Sequence, residues 1–384
     1  MTKPIAWIVA VCVSFMSLFT SAAVQAQVPT IAVPGPNSSG RSDILVPASG
    51  LPLIVFQENS TVKALQCANA LCSGAPTSVT TIANLSSLTR IRVATAADGL
   101  PIVGISVTAS GLRAIKCNDA ACTSSITTVV DSSNLGFTTD HDLIVPADGL
   151  PLFAYHDGSN FDLKIARCST LDCTGIASIV VADTAGFTGR GPGVAIIGGL
   201  PQVAYHSNPS GTIKNIKLLR CGSPDCAVGN STSVLTTDTT SSLAMMEGRD
   251  GAAIIAYKAD VATQDSLRLV KCLNPNCLTF AVSTVDSISS GSGVGEGVQM
   301  RAGADGLPVL SYFDSTFGTI KVARCTRPDC ASVTTTTLHA PTPSVMLIAN
   351  ALAINANGVP VVAYAVPVAV GSLKVHSCNT RSCQ

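Results

Sequence analysis

The sequence contains a repeated pattern in which a turn glycine precedes the second strand-like run. In four of the repeats a charged residue lies nine positions before that glycine. Arginines that converge on one point bind a carboxylate or sulfate through forked hydrogen bonds. A second polar position follows two residues later, on the same side of an extended strand. The alternative is that these groups form salt bridges between neighbouring strands. The first position holds Arg41, Arg90, Asp140 and Arg190, and the second holds Asp43, Arg92, Asp142 and Gln299.

Histidines supply a second candidate chemistry. His156 and His206 follow Tyr155 and Tyr205 at equivalent places in the repeat. Together with His141 they would form a metal site or an acid–base cluster, although equivalent residues of a repeat are more often shared scaffold. The chain has no G-x-S-x-G motif and no phosphate-binding glycine motif, so nothing marks a nucleophile.

Two polar segments carry oxygen atoms of the kind that bind calcium, HDGSNFD at 156–162 and FDSTFG at 313–318. Neither matches a complete calcium-binding loop. We therefore assign no metal and no cofactor from the sequence.

Composition narrows the class of protein. The 384 residues carry 23 basic and 23 acidic side chains, and only 12% of the chain is charged. Such a balance argues against nucleic acid as a partner, because that binding depends on neutralising phosphates. Hydrophobic residues reach 47% and aromatics only 4%. Val, Ile and Leu interleaved with Thr and Ser favour strands over helices.

The N-terminus has the order of a secretory signal peptide. Lys3 precedes an apolar run from residue 5 to 19, and small residues follow as far as Ala26. A membrane anchor is the alternative, but the run is shorter than the span of about 20 residues that a bilayer requires. We expect residues 1–26 to be removed. Residues 27–384 would then form one domain, secreted or periplasmic, monomeric and without a membrane span.

Fourteen of the 15 cysteines form seven pairs of identical spacing, and Cys12 lies in the predicted signal peptide. An even number of cysteines in an exported protein indicates disulfides. A zinc site would need ligands from a second cluster, and haem attachment needs a C-x-x-C-H motif that the chain lacks. The pairs are Cys67/Cys72, Cys117/Cys122, Cys168/Cys173, Cys221/Cys226, Cys272/Cys277, Cys325/Cys330 and Cys378/Cys383.

The cysteine pairs return every 50 to 53 residues, a period typical of propellers and solenoids. A second phrase, such as ADGLPLFAY from residue 147, keeps the same period. One unit reads as four strands, with the first and second joined by a tight turn at Asp-Gly or Asn-Gly. We expect the third and fourth strands to be joined by a four-residue hairpin loop, across which the two cysteines face each other.

The last unit supplies only three strands before Gln384, whereas VPTIAVP at 28–34 is a lone strand-like segment. If this segment pairs with the last unit, the ring closes. An open β-solenoid is the alternative, and it would leave sheet edges exposed. The sequence therefore predicts a seven-bladed β-propeller with four antiparallel strands per blade, closed by an N-terminal outer strand.

The segment DGLPVLSYFDSTFGTIKVARCTRPDC at 305–330 resembles a repeat of exported bacterial proteins of unassigned role. In that repeat D-G-L-P, Y-x-D and L-K-x-x-x-C-x4-C recur in tandem, and the resemblance covers residues 42 to 383. It implies a sialidase-like or kelch-like propeller by fold only, with no implied activity. The sialidase Asp-box needs a tryptophan, and the only one is Trp7.

Two further positions recur in the repeat. Five units carry a tyrosine in the second strand, which we interpret as core. All seven carry a basic residue four positions before the first cysteine, which we interpret as a solvated structural position, with an anion-binding ring as the alternative. The tyrosines are Tyr155, Tyr205, Tyr257, Tyr312 and Tyr364, and the basic residues are Lys63, Arg113, Lys164, Lys217, Arg268, Lys321 and Lys374.

In a propeller the variable loops gather on one face, around the central channel, and function usually lies in such loops. We expect a non-catalytic module that binds an extracellular carbohydrate, peptide or surface protein there. The alternative is a hydrolase or lyase that acts on an anionic polysaccharide at the channel mouth, with arginines as binding groups. The candidate binding residues are Arg41, Asp43, Arg90, Arg92, Asp140, His141, Asp142, Arg190, His156 and His206.

Overall fold

The computed structural model describes residues 31–34, 38–136, 140–208, 214–261, 264–288, 293–339, 350–366 and 372–384. The regular elements of these ranges are 28 β-strands. No helix among them is long and apolar enough to cross a membrane. The predicted signal peptide, and residues 28–30 of the predicted closing segment, lie outside these ranges.

The strands form seven antiparallel sheets of four, which we call blades 1 to 7. The first strand is β1 (Ile31–Pro34). Blade 1 comprises β2 (Ser38–Leu45), β3 (Leu53–Glu58), β4 (Thr61–Gln66) and β5 (Ser78–Asn84). Blade 2 comprises β6 (Leu88–Thr95), β7 (Pro101–Val107), β8 (Gly111–Cys117) and β9 (Ser125–Asp131). Blade 3 comprises β10 (His141–Ile144), β11 (Leu152–Asp157), β12 (Asp162–Cys168) and β13 (Ile176–Asp183).

The remaining blades repeat the pattern. Blade 4 comprises β14 (Phe187–Ile197), β15 (Leu200–Asn208), β16 (Asn215–Arg220) and β17 (Ser231–Thr236). Blade 5 comprises β18 (Thr239–Glu247), β19 (Ala253–Val261), β20 (Gln264–Cys272) and β21 (Phe280–Ser287). Blade 6 comprises β22 (Val294–Ala302), β23 (Pro308–Asp314), β24 (Thr319–Cys325) and β25 (Val333–His339). Blade 7 comprises β26 (Asn350–Ile354), β27 (Pro360–Val366), β28 (Ser372–Ser377) and β1.

Ring closure by an N-terminal outer strand is confirmed. Strand β1 pairs antiparallel with β28, with Ile31 opposite Val375 and Pro34 opposite Ser372. Blade 7 thereby gains its fourth strand, and the innermost strands β2 and β26 of the first and last blades lie against each other. The predicted seven-bladed propeller is therefore correct, and the alternative of an open solenoid is excluded.

Each end of the ring carries a different kind of connection. One end carries the Asp-Gly turns and the cysteine loops, and we call it the turn face. The other carries the links between second and third strands and between blades, and we call it the loop face. On the turn face Gly149 has a φ of 81° and its N–H donates to the Pro146 carbonyl at 2.9 Å. This left-handed conformation explains why glycine ends the turn.

The hydrophobic core lies between blades rather than inside one sheet. A representative cluster joins Leu152 and Ala154 of blade 3 to Val203 and Tyr205 of blade 4. The second strands are buried on both faces; every residue of β7 and of β11 is buried. The outer strand β5 instead alternates towards solvent. Burial of both faces makes neighbouring blades depend on each other for stability.

All seven predicted disulfides are present, with Cα–Cα distances of 4.7 to 5.0 Å. The first cysteine of each pair ends the third strand or directly follows it, as predicted. In blade 2, for example, Cys117 is the last residue of β8 and lies opposite Ser125, the first residue of β9. The pairing of the cysteines is therefore correct, and each bridge lies within one blade.

The predicted position of the second cysteine is wrong. We expected it to face the first cysteine directly across a four-residue hairpin loop. In blades 1 to 6 it lies instead inside a longer connecting loop, before the fourth strand begins. In all seven blades its φ is between 48° and 58°. Each bridge therefore closes the loop on the turn face rather than joining two strands. The correction applies to Cys72, Cys122, Cys173, Cys226, Cys277 and Cys330. Cys383 has the same φ, but the fourth strand of its blade is β1.

A backbone hydrogen bond accounts for the observed geometry. The N–H of each second cysteine donates to the carbonyl three residues earlier, at 2.9 to 3.2 Å, so the loop folds into a tight turn that ends at the sulfur bridge. Cys122, for example, donates to Asp119 at 3.1 Å. The turn uses up residues before the chain reverses, and the fourth strand therefore starts after the second cysteine.

The repeated tyrosines and basic residues meet between blades. A tyrosine hydroxyl donates to an aspartate at or just after the end of the preceding blade's outer strand, and a basic side chain of the tyrosine's own blade pairs with that aspartate. The hydroxyl distances are 2.7 Å for Tyr155–Asp131, 2.6 Å for Tyr205–Asp183, 3.5 Å for Tyr257–Asp238 and 2.7 Å for Tyr312–Asp286. The basic partners are Lys164, Lys217, Arg268 and Lys321.

This arrangement refines the interpretation of the basic position. Its role is structural, as predicted, but in blades 3 to 6 the charge is paired rather than held in water. Lys164 and Lys321 also pair with the buried Asp157 and Asp314, each at 2.8 Å. We call these tyrosine–aspartate–base groups the interblade clasps. Each clasp links the second and third strands of one blade to the preceding blade.

Candidate ligand-binding site at the channel mouth

The first row of predicted site residues occupies one level of the ring, at the loop-face end of the inner strands. Each residue lies opposite an equivalent position of its second strand: Arg90 opposite Ser106 and Arg190 opposite His206. The His156 N–H donates to the Asp140 carbonyl at 2.8 Å, which places Asp140 at the same level in blade 3. Arg41 lies one residue before Ser42, whose partner is Phe56. The repeat thus brings the four side chains to four successive blades at one height.

The second row joins blades to one another. Asp43 is fully buried and accepts the Val93 N–H of blade 2 at 2.9 Å. One oxygen of Asp142 accepts the Val194 N–H of blade 4 at 2.9 Å. The other oxygen accepts from the Arg92 guanidinium of blade 2 at 3.1 Å. These carboxylates satisfy backbone N–H groups that the edge of an inner strand leaves unpaired. Among the candidate residues, Asp43, Arg92 and Asp142 therefore hold the ring together.

The arginines of the first row differ in their exposure and in their contacts with other residues. Arg41 is half-buried; its Nε donates to the Thr89 carbonyl at 3.1 Å. Arg90 lies 3.3 Å from an Asp140 oxygen and is also half-buried. Arg190 is exposed, and within the described part of the chain it has no hydrogen bond or salt bridge. Its guanidinium carries five donors in a planar fork and is exposed to solvent.

Asp140 lies at the centre of this charge cluster. Burial raises its pKa to about 6, opposed by the charges of Arg92, His156 and Arg190, while Asp142 adds repulsion. Burial lowers the pKa of Arg41, and the nearby Asp140 carboxylate acts in the opposite direction and raises it. A carboxyl group that titrates near pH 6 is able to exchange protons under ordinary conditions. The cluster thus combines arginines with one carboxyl group of raised pKa.

The three histidines have separate environments. His141 is fully buried beside Ser106, and burial together with Arg92 lowers its pKa to about 3. Burial and Arg190 lower the pKa of His206 to about 4. His156 is buried in blade 3, and its ring centroid lies 6.3 Å from that of Phe161. In the described ranges no three His, Cys, Asp or Glu side chains are arranged to hold a metal ion.

The two segments with calcium-type oxygens are turns closed by their own aspartates. Asp157 accepts the N–H groups of Ser159 and Asn160 at 3.1 and 3.2 Å. Asp314 accepts the Thr316 N–H at 3.1 Å. Both carboxylates also pair with the lysines of their blades, so their oxygens are engaged within the fold.

Sequence reasoning missed an aromatic pair at this face. Phe161, in the hairpin between β11 and β12, and Phe187, at the start of β14, are 39% and 49% exposed. Their ring centroids lie 4.4 Å apart in an edge-to-face arrangement. The available signal was a phenylalanine at a loop position in a chain with few aromatics. Because the two residues belong to different blades, their contact was not evident from spacing.

The opposite end of the channel has a different character. A cavity of about 260 Å³ lies among the inner strands of blades 1, 2, 6 and 7, near the turn face. Aliphatic side chains such as Ile44, Val93 and Ile354 line it, and Arg301 is its charged member. Arg301 lies 3.7 Å from Asp43. Arg301 is thus the one arginine among the residues that line this cavity.

Comparison with known proteins identifies the architecture only. No protein-family model and no curated protein matches the chain. The crystal structure of polysaccharide lyase Uly1 superposes with a TM-score of 0.55 at 10% identity, covering 93% of this chain and 94% of that one. The extracellular domains 1–2 of Drosophila Semaphorin 1a give 0.54 at 10% identity, covering 91% and 88%. A protein of unknown function from Dyadobacter fermentans gives 0.54 at 8%, covering 92% and 100%. Identities this low show a shared fold.

Proposed function

We propose that the protein is an exported, non-catalytic binding propeller that recognises an anionic glycan through the arginines of its channel mouth. The observation that carries this proposal is the exposed guanidinium of Arg190, without a hydrogen bond or salt bridge among the described residues, beside a charge cluster. Arg41 and Arg90 stand at the same level of the ring. A carboxylate or sulfate group matches the forked geometry of these donors.

Export is part of the proposal. Seven disulfides fit an oxidising compartment, and their cysteines are buried against the core. The first 26 residues have the composition of a signal peptide. Mass spectrometry of the protein recovered from its producing cell tests this directly. The expected mature chain starts at Gln27, and retention of the first 26 residues on a cytoplasmic protein would contradict it.

Ligand binding is favoured over catalytic turnover because the other charged side chains of the cluster pair with one another. Arg92 and Asp142 pair with each other, and Arg90 lies 3.3 Å from Asp140. These four side chains are therefore paired between blades, and Arg190 is the arginine of the cluster that faces outward, with Arg41 and Arg90 as further positive charges at its level. A rigid ring of this kind presents a preformed surface, and a preformed surface lowers the entropy lost on binding.

The test compares one site variant with one matched control. We would screen the purified protein on an array of neutral, uronic-acid, sialic-acid and sulfated glycans, and measure affinity for the best binders by calorimetry. Arg190→Ala removes the outward guanidinium, whereas Arg249→Ala removes an exposed arginine of the turn face. Loss of a charge-assisted hydrogen bond weakens binding by roughly tenfold to a hundredfold. Equal affinity of Arg190→Ala and Arg249→Ala, or binding confined to neutral glycans, would contradict the proposal.

One observation favours a second candidate, a hydrolase or lyase acting on an anionic polysaccharide. The pKa of Asp140, raised to about 6 by burial, suits a residue that donates or accepts a proton near neutral pH. The measurement is turnover of acidic polysaccharides, followed as reducing ends or as the absorbance of unsaturated products. Asp140→Asn should abolish turnover and retain binding. Absence of turnover on the polysaccharides that the array identifies would remove this candidate.

A further inference from the structure

The aromatic pair at the boundary of blades 3 and 4 is held rigidly although both rings face solvent. The Phe161 carbonyl accepts the Thr188 N–H at 3.0 Å, which ties the β11–β12 hairpin to the start of β14. Gly189 permits this approach, because a Cβ atom there would lie 2.8 Å from the Asp162 carbonyl oxygen and from the Leu163 Cα. Thr188 is fully buried and anchors the strand directly after Phe187. The two rings therefore form a preformed surface.

The backbone of Phe161 is in a conformation that phenylalanine rarely adopts. Its φ is +61°, in the left-handed region, where a Cβ atom crowds the following carbonyl. Blade 6 builds the equivalent hairpin with Gly318, whose φ is +64°. Blade 3 thus has phenylalanine at a position where blade 6 has glycine, which adopts this conformation without strain. Strain of this kind at an exposed ring points to a role for the ring itself.

The pair is continuous with the charge cluster. The Phe161 ring lies 6.3 Å from that of His156, and the charge of His156 acts on Asp140. Phe187 lies on the same strand as Arg190, three residues earlier, and both side chains are exposed at the loop face. An aromatic side chain and an exposed guanidinium therefore lie three residues apart on β14, with a change of strand register between Thr188 and Arg190.

We propose that Phe161 and Phe187 form a subsite that stacks against the face of a sugar ring, next to the sugar whose anionic group Arg190 binds. This inference rests on the proposed function and deepens it, because it assigns the ligand to acidic oligosaccharides of two or more residues. The C–H-rich face of a pyranose buries apolar area against an aromatic ring, while its hydroxyl groups remain hydrated. An aromatic surface beside a cationic fork matches a chain of uronic acid residues.

The experiment uses three variants of the full protein. Phe161→Gly removes the ring and restores the residue that the backbone conformation favours, so we expect it to fold and to unfold as cooperatively as the wild type. Phe317→Ala is the matched control, since Phe317 is 58% exposed at the tip of the equivalent hairpin in blade 6. Arg190→Ala reports on the proposed anion site. The probes are galacturonate and glucuronate, trigalacturonate, a hyaluronan tetrasaccharide, and the peptide Asp-Asp-Phe-Asp-Asp as a non-sugar acid.

We expect an oligosaccharide to bind at least about tenfold more tightly than its monomer, and Phe161→Gly to abolish that gain with little change in monomer affinity. Phe317→Ala should retain the gain. If Arg190→Ala weakens binding but Phe161→Gly does not, the subsite is wrong and the proposed function stands. If the peptide shows the same Phe161-dependent gain, the pair recognises apolar side chains and the assignment to sugars is wrong. If none of the acidic sugar probes binds while the array shows binding to another anionic glycan, the assignment to uronic acid oligosaccharides is wrong and the proposed function stands; if no anionic glycan of the array binds either, both proposals fail.

Discussion

Replacing Asp140 by asparagine should stabilise the protein at neutral pH. Burial raises the pKa of this carboxyl group to about 6 in the folded protein, whereas an aspartate in an unfolded chain titrates near pH 3.9. Between these values the folded state binds a proton that the unfolded state has released. The free energy of unfolding of the wild type therefore falls as pH rises from about 4 to about 6. Asparagine is neutral throughout and removes that fall.

The size of the effect follows from the shift. A difference of about two pKa units corresponds to about 3 kcal/mol, since one unit is worth about 1.4 kcal/mol. The Asp140 side chain is 31% exposed, so solvent screening reduces this figure. We expect a net gain of about 1–2 kcal/mol above pH 7, which raises the melting temperature by about 2 °C in a chain of this length.

The assay is urea denaturation of wild type and Asp140→Asn at half-unit steps from pH 3.5 to 8. The difference in unfolding free energy should be near zero below pH 4 and reach its plateau above pH 7. Asp131→Asn is the control of opposite sign. Burial opposes the charge of Asp131, but hydrogen bonds from Ser133 and Tyr155 and the nearby Lys164 lower its pKa, so this variant should lose stability at neutral pH. A pH-independent difference for Asp140→Asn would refute the electrostatic reasoning.

Three further predictions concern the framework that positions the site. Tyr312→Phe removes a 2.7 Å hydrogen bond to the charged Asp286 and should cost about 1–2 kcal/mol in urea denaturation; an unchanged midpoint would mean that the clasp does not stabilise the ring. Gly104→Ala should cost about 1–3 kcal/mol by the same assay, since the new Cβ would lie 2.8 Å from both the His141 Nε2 and the Phe153 ring; a neutral result would show that His141 moves freely. A chain beginning at Ser38 loses β1 and exposes the edge of β28, so calorimetry should show a lower melting temperature and light scattering should show association; a melting curve like that of the wild type would contradict closure by β1.

Much of the fold could be predicted because its signals are local. The spacing of Cys117 and Cys122, and the glycine turns, recur within single units, and each depends on backbone geometry alone. The position of the second cysteine could not be predicted, because a seven-residue loop from 118 to 124 and a four-residue hairpin give the same cysteine spacing. The left-handed conformation of that cysteine decides between them, and spacing does not report φ.

The interblade clasps were missed for a different reason. Tyr155 and Lys164 were each visible as repeated positions, but their common partner Asp131 belongs to the preceding blade. The distance from the second cysteine to this aspartate also varies, from nine residues at Asp131 to twelve at Asp238. A contact between blades depends on the tilt of one sheet against the next, which a repeat pattern does not encode.

At the candidate site, the height of each residue could be predicted but the direction of its side chain could not. The repeat predicted that Arg92 lies two residues further along its inner strand than the position of Arg190. The observed pairing of first and second strands agrees with this. Whether a guanidinium meets a carboxylate of the next blade or faces solvent depends on the partner available there. Arg92 has Asp142 at 3.1 Å, whereas the described residues offer Arg190 no such partner.

The central claim is that the arginines of the loop face form an anion site at the channel mouth. Selenate is a suitable probe, because its anomalous scattering locates a bound anion without knowledge of the natural ligand. Crystals of the wild type soaked in selenate should show an anomalous peak within hydrogen-bond distance of the Arg190 guanidinium, and Arg190→Ala crystals should lack it. A peak beside Arg301 at the turn face, with none at Arg190, would contradict the account.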